Sequence, residues 1–227
     1  MLKALVVGTP VRIQELVDRN LSNVEFHFFE GSGIDDLANQ AALMDIVFDL
    51  NLDDQPIRLQ AYHDLNIAVF VCAVKVQLAE MVYCLDGELK CRLIGINSLP
   101  SFLNRPLLEC SVYKKEDISV LENLTKEMEW DIELVEDRVG MVTPRVISMI
   151  INEACYTLQE GTASVKDIDL GMKLGTNFPM GPFEWANKLG LENVVQILSA
   201  LHEDTKEERY KICPLLKTYF LKAEEIV

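Results

Sequence analysis

The sequence predicts an α/β protein in which a shortened, doubly wound sheet is followed by an all-α domain. In the first part of the chain, short apolar runs alternate with helical patterns, which is typical of β-α-β units. After residue 138 the strand patterns stop and only helical periodicity continues. Apolar residues make up 49% of the 227 residues, which is enough for a sizeable core. We therefore expect two domains, 1–138 and 139–227.

The first domain opens with a β-α-β pattern. Lys3–Gly8 has the composition of a buried parallel strand, and Thr9-Pro10 places a cap and a first-turn proline at the start of a helix. Further predicted strands are Val24–Glu30, Ala42–Leu50, Ile67–Val74, Arg92–Ile96, Leu107–Val112 and Asp131–Val135, with helices at Gln55–Leu65 and Glu116–Met128.

The second domain begins with a long helix. Thr143 is predicted to cap it, with Pro144 at its first position, where a missing N–H costs nothing. An apolar stripe then recurs at helical spacing, through Ile147, Ile150, Ile151, Ala154 and Leu158. Ser164–Asp167 is a capping box for a second helix, and Met180–Phe183 is a rigid turn into a third. Later helices are expected at Asn193–Leu201 and Pro214–Ile226.

Charge and cysteine usage restrict the possible functions. A net charge of −15 argues against binding to nucleic acid or to an anionic membrane surface, because both need basic patches. The six cysteines form no C-x-x-C pair, and we expect reduced core thiols in a cytoplasmic protein without a signal peptide. His27, His63 and His202 have no metal-ligand spacing with the cysteines, so no metal site is expected.

The β-α-β opening has the layout of a dinucleotide-binding fold, with Glu30 standing 22 residues after Gly8, where an acidic residue would bind a ribose. Only the first of the three expected glycines is present. Pro10 and Ile13 occupy the other two positions, and both obstruct the approach of a pyrophosphate. One interpretation is a structural β-α-β unit without cofactor, in which Glu30 is a solvated carboxylate. The other is that Arg12, near the helix N-terminus, binds a phosphate.

Several segments of the second domain carry a resemblance. They are Asn152–Ala154, Glu160-Gly161, Ala163-Ser164, Asp167–Asp169, Met172–Gly175 and Pro179–Glu184. In order and spacing they resemble the C-terminal helical domain of the 3-hydroxyacyl-CoA dehydrogenase family. The resemblance implies a Rossmann-like first domain, NAD as cofactor, an acyl-CoA substrate of fatty acid metabolism and a homodimer formed through the helical domain. The first domain resembles this family more weakly.

The family's site residues can be carried over position by position. Its catalytic histidine falls on Asn97, and its orienting glutamate falls on Glu109, twelve residues later. Asn97 cannot accept a proton from an alcohol, because an amide has no proton affinity near neutral pH. The family's serine falls on Val76, and its asparagine in the first turn of the long helix falls on Pro144. Lys75, beside Val76, is expected to be a surface lysine.

Two hypotheses follow. The family's helical pair that reaches CoA lies between the second and third strands, where this chain has only Gly31–Ala41, so the resemblance implies a missing acyl-CoA contact surface. The first hypothesis is a non-catalytic homodimer without cofactor, which acts through a protein partner or an acyl-CoA-like small molecule. The second is an NAD(H)-dependent oxidoreductase on a 3-hydroxyacyl-type substrate, with a rearranged site around Asn97, Glu109 and Arg12.

Overall fold

The computed structural model describes all residues, Met1–Val227, and the chain divides into two compact units, Met1–Met141 and Val142–Val227. The sequence placed the boundary after residue 138. The first unit ends in a turn in which Gly140 and Met141 both have positive φ. None of the helices in either unit is both long and apolar enough to span a membrane.

The first unit is built on one seven-stranded sheet. Its strands are β1 (Leu2–Val7), β2 (Val24–Phe28), β3 (Ile46–Asp49), β4 (Ala68–Cys72), β5 (Arg92–Ile96), β6 (Leu107–Val112) and β7 (Asp131–Leu134). Their order is β2-β1-β3-β4-β5-β6-β7, and every neighbouring pair is parallel except β5 and β6. The predicted doubly wound sheet is confirmed. From β1 the chain adds β2 on one side of the sheet and then β3 on the other. This change of strand order creates a crevice between the carboxyl ends of β1 and β3.

Four helices and three 3-10 segments connect the strands. The helices are α1 (Pro10–Asp18), α2 (Ile34–Ala41), α3 (Leu78–Tyr83) and α4 (Ile118–Glu127), and the 3-10 segments are Leu52–Asp54, Pro56–Ala61 and Lys115–Asp117. Thr9 is the N-cap residue of α1, with a proline in the first turn, as the sequence predicted. The sequence missed α2 and α3, and it assigned a helix to residues 55–65, where the chain forms 3-10 turns.

The two missed helices lack a local start signal in the sequence. The third strand was predicted to begin at residue 42, but residues 42–45 continue out of α2 as a turn. Helix α2 starts at Gly33 without a side-chain cap. Helix α3 is capped by Asp137, whose two carboxylate oxygens accept the backbone N–H groups of Leu78 and Ala79 at 2.9 Å each. A cap supplied from 59 residues away leaves no local signal in the sequence.

Both faces of the sheet are covered. On one face, Phe48 and Phe70 stack with ring centroids 4.9 Å apart, and Trp130 lies against Phe48 among residues of α1 and α4. On the other face, Tyr62 and Leu37 are buried with residues of α2, α3 and the 3-10 turns. Strands covered on both faces are apolar along their whole length, which explains why the sequence identified the central strands.

The second unit contains helices only. They are α5 (Thr143–Gln159), α6 (Val165–Thr176), α7 (Pro182–Leu189), α8 (Leu191–Thr205) and α9 (Pro214–Lys222), with a 3-10 turn at Glu208–Tyr210. Thr143 is the first helical residue of α5, and Val142 is its cap, so the predicted cap is wrong by one position. Ser164 caps α6 as predicted, because its side chain accepts the backbone N–H of Asp167. Helix α9 ends at residue 222, short of the predicted end at Ile226.

A buried carboxylate joins α6 to α7. Asp169 accepts the backbone N–H groups of Phe183 at 2.8 Å and Glu184 at 3.3 Å, which are free donors in the first turn of α7. Glu184 in turn accepts the N–H of Gly181 at 2.8 Å. A Cβ atom on Gly181 would lie 2.2 Å from Cγ of Asp169, so only glycine allows this approach. The motif from Asp167 to Glu184 therefore packs α6 against the start of α7 and caps α7.

This contact gives a prediction with opposite signs at two glycines. Gly181→Ala should lower the free energy of unfolding by several kcal/mol, since the new methyl group overlaps Asp169 and displaces the cap. Gly171→Ala, inside α6, meets no atom within 4 Å and should raise stability by up to about 1 kcal/mol. Urea unfolding of both variants tests this, and equal effects at the two positions would contradict the proposed role of Asp169.

Candidate functional site

The crevice between β1 and β3 lies where a doubly wound sheet places a ligand. Gly8 follows β1, and a Cβ atom at this position would lie 3.1 Å from Cβ of Leu50, the residue that follows β3. The first glycine of the dinucleotide pattern therefore keeps its close approach between two strand ends. Helix α1 begins two residues later, and its first turn carries Arg12.

Arg12 spans the crevice. Its side chain is buried, and the whole residue is only 3% exposed. Nη1 donates a hydrogen bond of 2.6 Å to the carbonyl oxygen of Leu50, and Nη2 lies 3.7 Å from Oδ2 of Asp54. The guanidinium thus joins the first turn of α1 to the end of β3 and to the 3-10 turn that follows it.

A second set of polar contacts continues this arrangement toward β4 and β5. Lys75, which was expected at the surface, is buried, and its ammonium group pairs with Asp54. Asp53 accepts the backbone N–H of Lys75 at 3.1 Å and the thiol of Cys72 at 3.2 Å. Burial and the neighbouring Asp53 raise the pKa of the Cys72 thiol to about 12, so this cysteine is not a nucleophile near neutral pH. Ser98, after β5, donates to the carbonyl oxygen of Leu50 at 2.7 Å.

Glu30 lies at the same edge of the sheet as Gly8, because β1 and β2 are parallel and Val6 pairs with Phe28. It is exposed and lies beyond the end of β2, which is shorter than predicted. Its backbone, however, is fixed by the side-chain amide of Gln40 on α2, which donates to its carbonyl oxygen at 2.7 Å.

Asn97 and Glu109 are brought together. Strands β5 and β6 are antiparallel with Ile96 opposite Cys110, and the backbone N–H of Asn97 donates to the carbonyl oxygen of Glu109 at 3.3 Å. Asn97 is buried, and its side-chain oxygen accepts the N–H of Leu99 at 3.4 Å. The twelve-residue spacing thus corresponds to a cross-strand pair at the carboxyl end of β5.

A buried acid at the end of β3 was missed by sequence reasoning. Asp49 accepts hydrogen bonds from Nη2 of Arg58 at 2.5 Å and from the hydroxyl of Tyr62 at 3.0 Å. Burial raises the pKa of Asp49 to about 6, and the charge of Arg58 opposes part of that shift. One signal was present in the sequence, an aspartate at the end of an apolar strand. Its partners were not predictable, because Arg58 lies in a 3-10 segment that was predicted as an α-helix and Tyr62 follows that segment.

The remaining candidates do not form a metal or redox centre. No group of three or more histidine, cysteine or acidic side chains has a geometry that could hold a metal ion. All six cysteines are free thiols, and all except Cys84 are buried, which agrees with the prediction of reduced core thiols.

Residues 140–225 match the family model described as 3-hydroxyacyl-CoA dehydrogenase, C-terminal domain. A 3-hydroxybutyryl-CoA dehydrogenase of Bradyrhizobium diazoefficiens is 28% identical over 195 residues, covering 82% of this chain and 64% of that protein. Residues 140–225 thus form a C-terminal domain of the 3-hydroxyacyl-CoA dehydrogenase family, which confirms the resemblance seen in the sequence.

A second curated relative and two solved structures are also similar to this chain. A 3-hydroxyadipyl-CoA dehydrogenase of Escherichia coli is 45% identical over 83 residues, covering 37% of the chain and 18% of that protein. The chain thus spans less than two thirds of the length of both relatives. M. tuberculosis FadB2 has a similar fold, with a TM-score of 0.79 and 17% identity over 98% of this chain and 94% of that one. PaaH1 from Ralstonia eutropha, an (S)-3-hydroxybutyryl-CoA dehydrogenase, also has a similar fold. The TM-score is 0.75 and the sequence identity is 19%, over 97% of this chain and 94% of that one.

The other two positions carried over from the family have no polar side chain. Val76 follows β4 and packs against the apolar core on the α2 side of the sheet. Pro144 is buried in the first turn of α5 in the second unit. A methyl group and a pyrrolidine ring replace a hydroxyl and an amide, so neither can hold a substrate oxygen by a side-chain hydrogen bond.

The residues around the crevice do not fit a dinucleotide in the usual pose of the family. A pyrophosphate needs free backbone N–H groups and space at the start of α1. Pro10 removes one donor, Ile13 packs into the core on that face, and the buried guanidinium of Arg12 is bonded to Leu50 and close to Asp54. The phosphate-binding role considered for Arg12 would require it to leave these contacts.

A stability measurement tests the position of Arg12. Arg12→Leu should lower the free energy of unfolding by about 2–4 kcal/mol, because it leaves the carbonyl of Leu50 with one donor fewer and removes a cation from beside Asp54. Arg19→Leu is the matched control: Arg19 donates to Pro106 at 3.2 Å in an exposed setting, and the loss should be below about 1 kcal/mol. Equal losses of stability in Arg12→Leu and Arg19→Leu would contradict a stabilising role of the buried contacts of Arg12.

The pKa of Asp49 predicts a pH dependence. Because this pKa rises from 3.8 to about 6 on folding, the protonated acid stabilises the fold, and that contribution is lost as pH rises through 6. Relative to Asp49→Asn, the wild type should therefore lose about 3 kcal/mol of unfolding free energy between about pH 3 and pH 7. Chemical unfolding of both proteins across this range measures the difference, and a constant difference would contradict the shift.

Proposed function

We propose that this chain is a non-catalytic member of the 3-hydroxyacyl-CoA dehydrogenase family that does not bind NAD in the family's pose. In this proposal it acts as a dimeric binding protein, and its ligand is a protein partner or an acyl-CoA-like small molecule. The proposal concerns the described chain, which spans 64% of its Bradyrhizobium relative.

One observation carries the proposal. The crevice in which a doubly wound sheet binds a dinucleotide is crossed by Arg12, which is hydrogen-bonded to the carbonyl of Leu50. Ser98 donates to the same oxygen from the other side, and Lys75 pairs with Asp54. Binding a pyrophosphate there would require breaking several buried polar contacts, each of which costs about 1–3 kcal/mol when a partner is left unsatisfied.

The catalytic positions support the same proposal independently. Hydride transfer to or from an alcohol needs a group that exchanges the hydroxyl proton. Asn97 occupies the position of that group, and its side-chain oxygen already accepts the N–H of Leu99. Glu109 faces Asn97 across the β5–β6 pair but has no imidazole to orient.

The dimer is part of this proposal. Val142 and Val146 are about half exposed on α5, and farther along the same helix Met149, Ile150 and Tyr156 line a surface groove of about 670 Å³. An exposed apolar helix face of this kind favours a contact with another protein surface. The resemblance assigns that contact to a second helical unit.

The competing proposal is an NAD(H)-dependent oxidoreductase on a 3-hydroxyacyl-CoA-like or short 3-hydroxy acid substrate. It is favoured by the names of the relatives, which are dehydrogenases, and by the polar cluster of Arg12, Asp54 and Lys75 at the carboxyl edge of the sheet. In that case Glu109 would take part in the reaction.

Calorimetric titration decides between the two proposals. We expect no binding of NAD or NADH at millimolar concentration, and no oxidation of NADH with acetoacetyl-CoA. CoA and acetoacetyl-CoA are titrated separately, because binding of either would identify the ligand without restoring catalysis. A ligand at a hundred times its dissociation constant adds roughly 2.7 kcal/mol of stability, so a thermal shift detects it as well.

Turnover that falls in Glu109→Gln but not in Glu122→Gln, an exposed residue of α4, would overturn the proposal in favour of the oxidoreductase.

A further inference from the structure

Strand β2 lies at one end of the sheet. It pairs with β1 on one side, and no strand lies on the other. The connection from β2 to β3 contains one eight-residue helix, α2, so the chain has no further strand to cover this edge. The exposed edge is aromatic, with the sequence Val-Glu-Phe-His-Phe, and Phe28 is 47% exposed.

The direction of the backbone groups along β2 can be assigned. Leu2 donates to the carbonyl of Asn23 at 2.7 Å, and Phe29 donates to the carbonyl of Val6 at 3.0 Å. Odd-numbered residues of β2 therefore direct their N–H and C=O groups toward β1, since this direction alternates along a strand. The N–H and C=O groups of the even-numbered residues point to the open edge; these residues are Val24, Phe26 and Phe28.

The open part of the β2 edge is limited to residues 24–28. Beyond Phe28, the outward N–H and C=O groups of Glu30 are bonded to the side-chain amide of Gln40, at 3.4 and 2.7 Å. Before Val24, Asn23 has a φ of +59°, which ends the extended conformation. The edge therefore offers three outward N–H and three outward C=O groups over five residues.

We propose that this edge binds the β2 edge of a second copy of the chain, antiparallel, about a two-fold axis at Phe26. In this register Phe26 lies opposite Phe26 of the second copy, and Val24 lies opposite Phe28. All outward groups are then paired, in six backbone hydrogen bonds. On the other face Glu25 lies opposite His27, an acidic residue against the only titratable base in the strand.

The side-chain pattern of β2 favours this register over the registers with the two-fold axis at an adjacent residue. Moving the axis to Glu25 or His27 keeps outward groups opposite one another, but it leaves an end residue unpaired. An axis at Glu25 places the two Glu25 carboxylates directly opposite each other, and like charges in this position are destabilising. An axis at His27 moves Glu25 away from His27 of the second copy. A shift by an odd number of residues places outward groups against inward ones and exchanges the faces.

The opposite edge of the sheet provides a contrast. Strand β7 also pairs on one side only, but it carries Asp131 and Glu133 on one face. Antiparallel pairing of β7 with itself therefore brings acidic residues close together, which is a common protection of edge strands. Strand β2 has a single acidic residue, Glu25, which lies 3.4 Å from His27 of its own strand and opposite His27 of the second copy in the proposed register.

Engineered cysteines test the register. In a background of Cys84→Ser, which removes the exposed thiol, Glu25→Cys and His27→Cys are prepared as separate proteins. Under mild oxidation an equal mixture should form a covalent dimer between one protein of each kind, because directly opposite residues without backbone bonds have Cα atoms about 4.5 Å apart. Each protein alone should crosslink several-fold less. Equal crosslinking in all three samples, or none, overturns the register.

A second experiment tests the edge itself. Sedimentation equilibrium of Phe28→Lys should show an association constant at least tenfold below that of the wild type. The control is Leu134→Lys, on β7 and 43% exposed, which should associate like the wild type. Both variants retain the helical unit, so a dimer formed through α5 would persist in both. Association through the β2 edge differs from it, because only that association is weakened by Phe28→Lys. A wild type that is monomeric at high micromolar concentration, or equal masses for the two variants, overturns the proposal.

Discussion

The carbonyl oxygen of Leu50 lies at the reversal point of the sheet and accepts hydrogen bonds from both sides, from Arg12 on α1 and from Ser98 after β5. This interaction fixes the distance between the first turn of α1 and the end of β3. In a doubly wound sheet that distance sets the size of the ligand crevice. Asp54 and Lys75 extend the contacts to β4. Arg12, Asp54 and Lys75 therefore hold the ends of these strands together at the carboxyl edge of the sheet.

The residues that carry the family resemblance differ in role between the two units. The match to the family model lies in the helical unit, over residues 140–225. Its most distinctive motif works through Asp169, which caps α7 and requires glycine at residue 181. Such residues are constrained by packing whether or not a reaction takes place. At the carboxyl edge of the first unit, by contrast, Asn97 and Glu109 lie opposite each other across β5 and β6, and a catalytic role for this pair is the point on which the two proposals differ.

The short connection after β2 has consequences at both ends of that strand. Helix α2 supplies Gln40, whose side-chain amide pairs with the backbone of Glu30, the residue at the position expected for a ribose-binding acid. The same short connection leaves the remaining edge of β2 open at its three even-numbered residues. One feature of the chain thus bears both on the nucleotide site and on the surface proposed for self-association.

The sequence by itself determined the fold class, the central strands and the helix starts marked by Thr9-Pro10 and Ser164, because apolar periodicity and capping are local properties. The resemblance to the family singled out Asn97 and Glu109, twelve residues apart, and the structure places them opposite each other on β5 and β6. Only the tertiary structure decided the rest: the cap of α3 by Asp137, the burial of Lys75 and the contacts of Arg12. These depend on side chains that meet across tens of residues, and no local pattern records which partner a long cationic side chain will find.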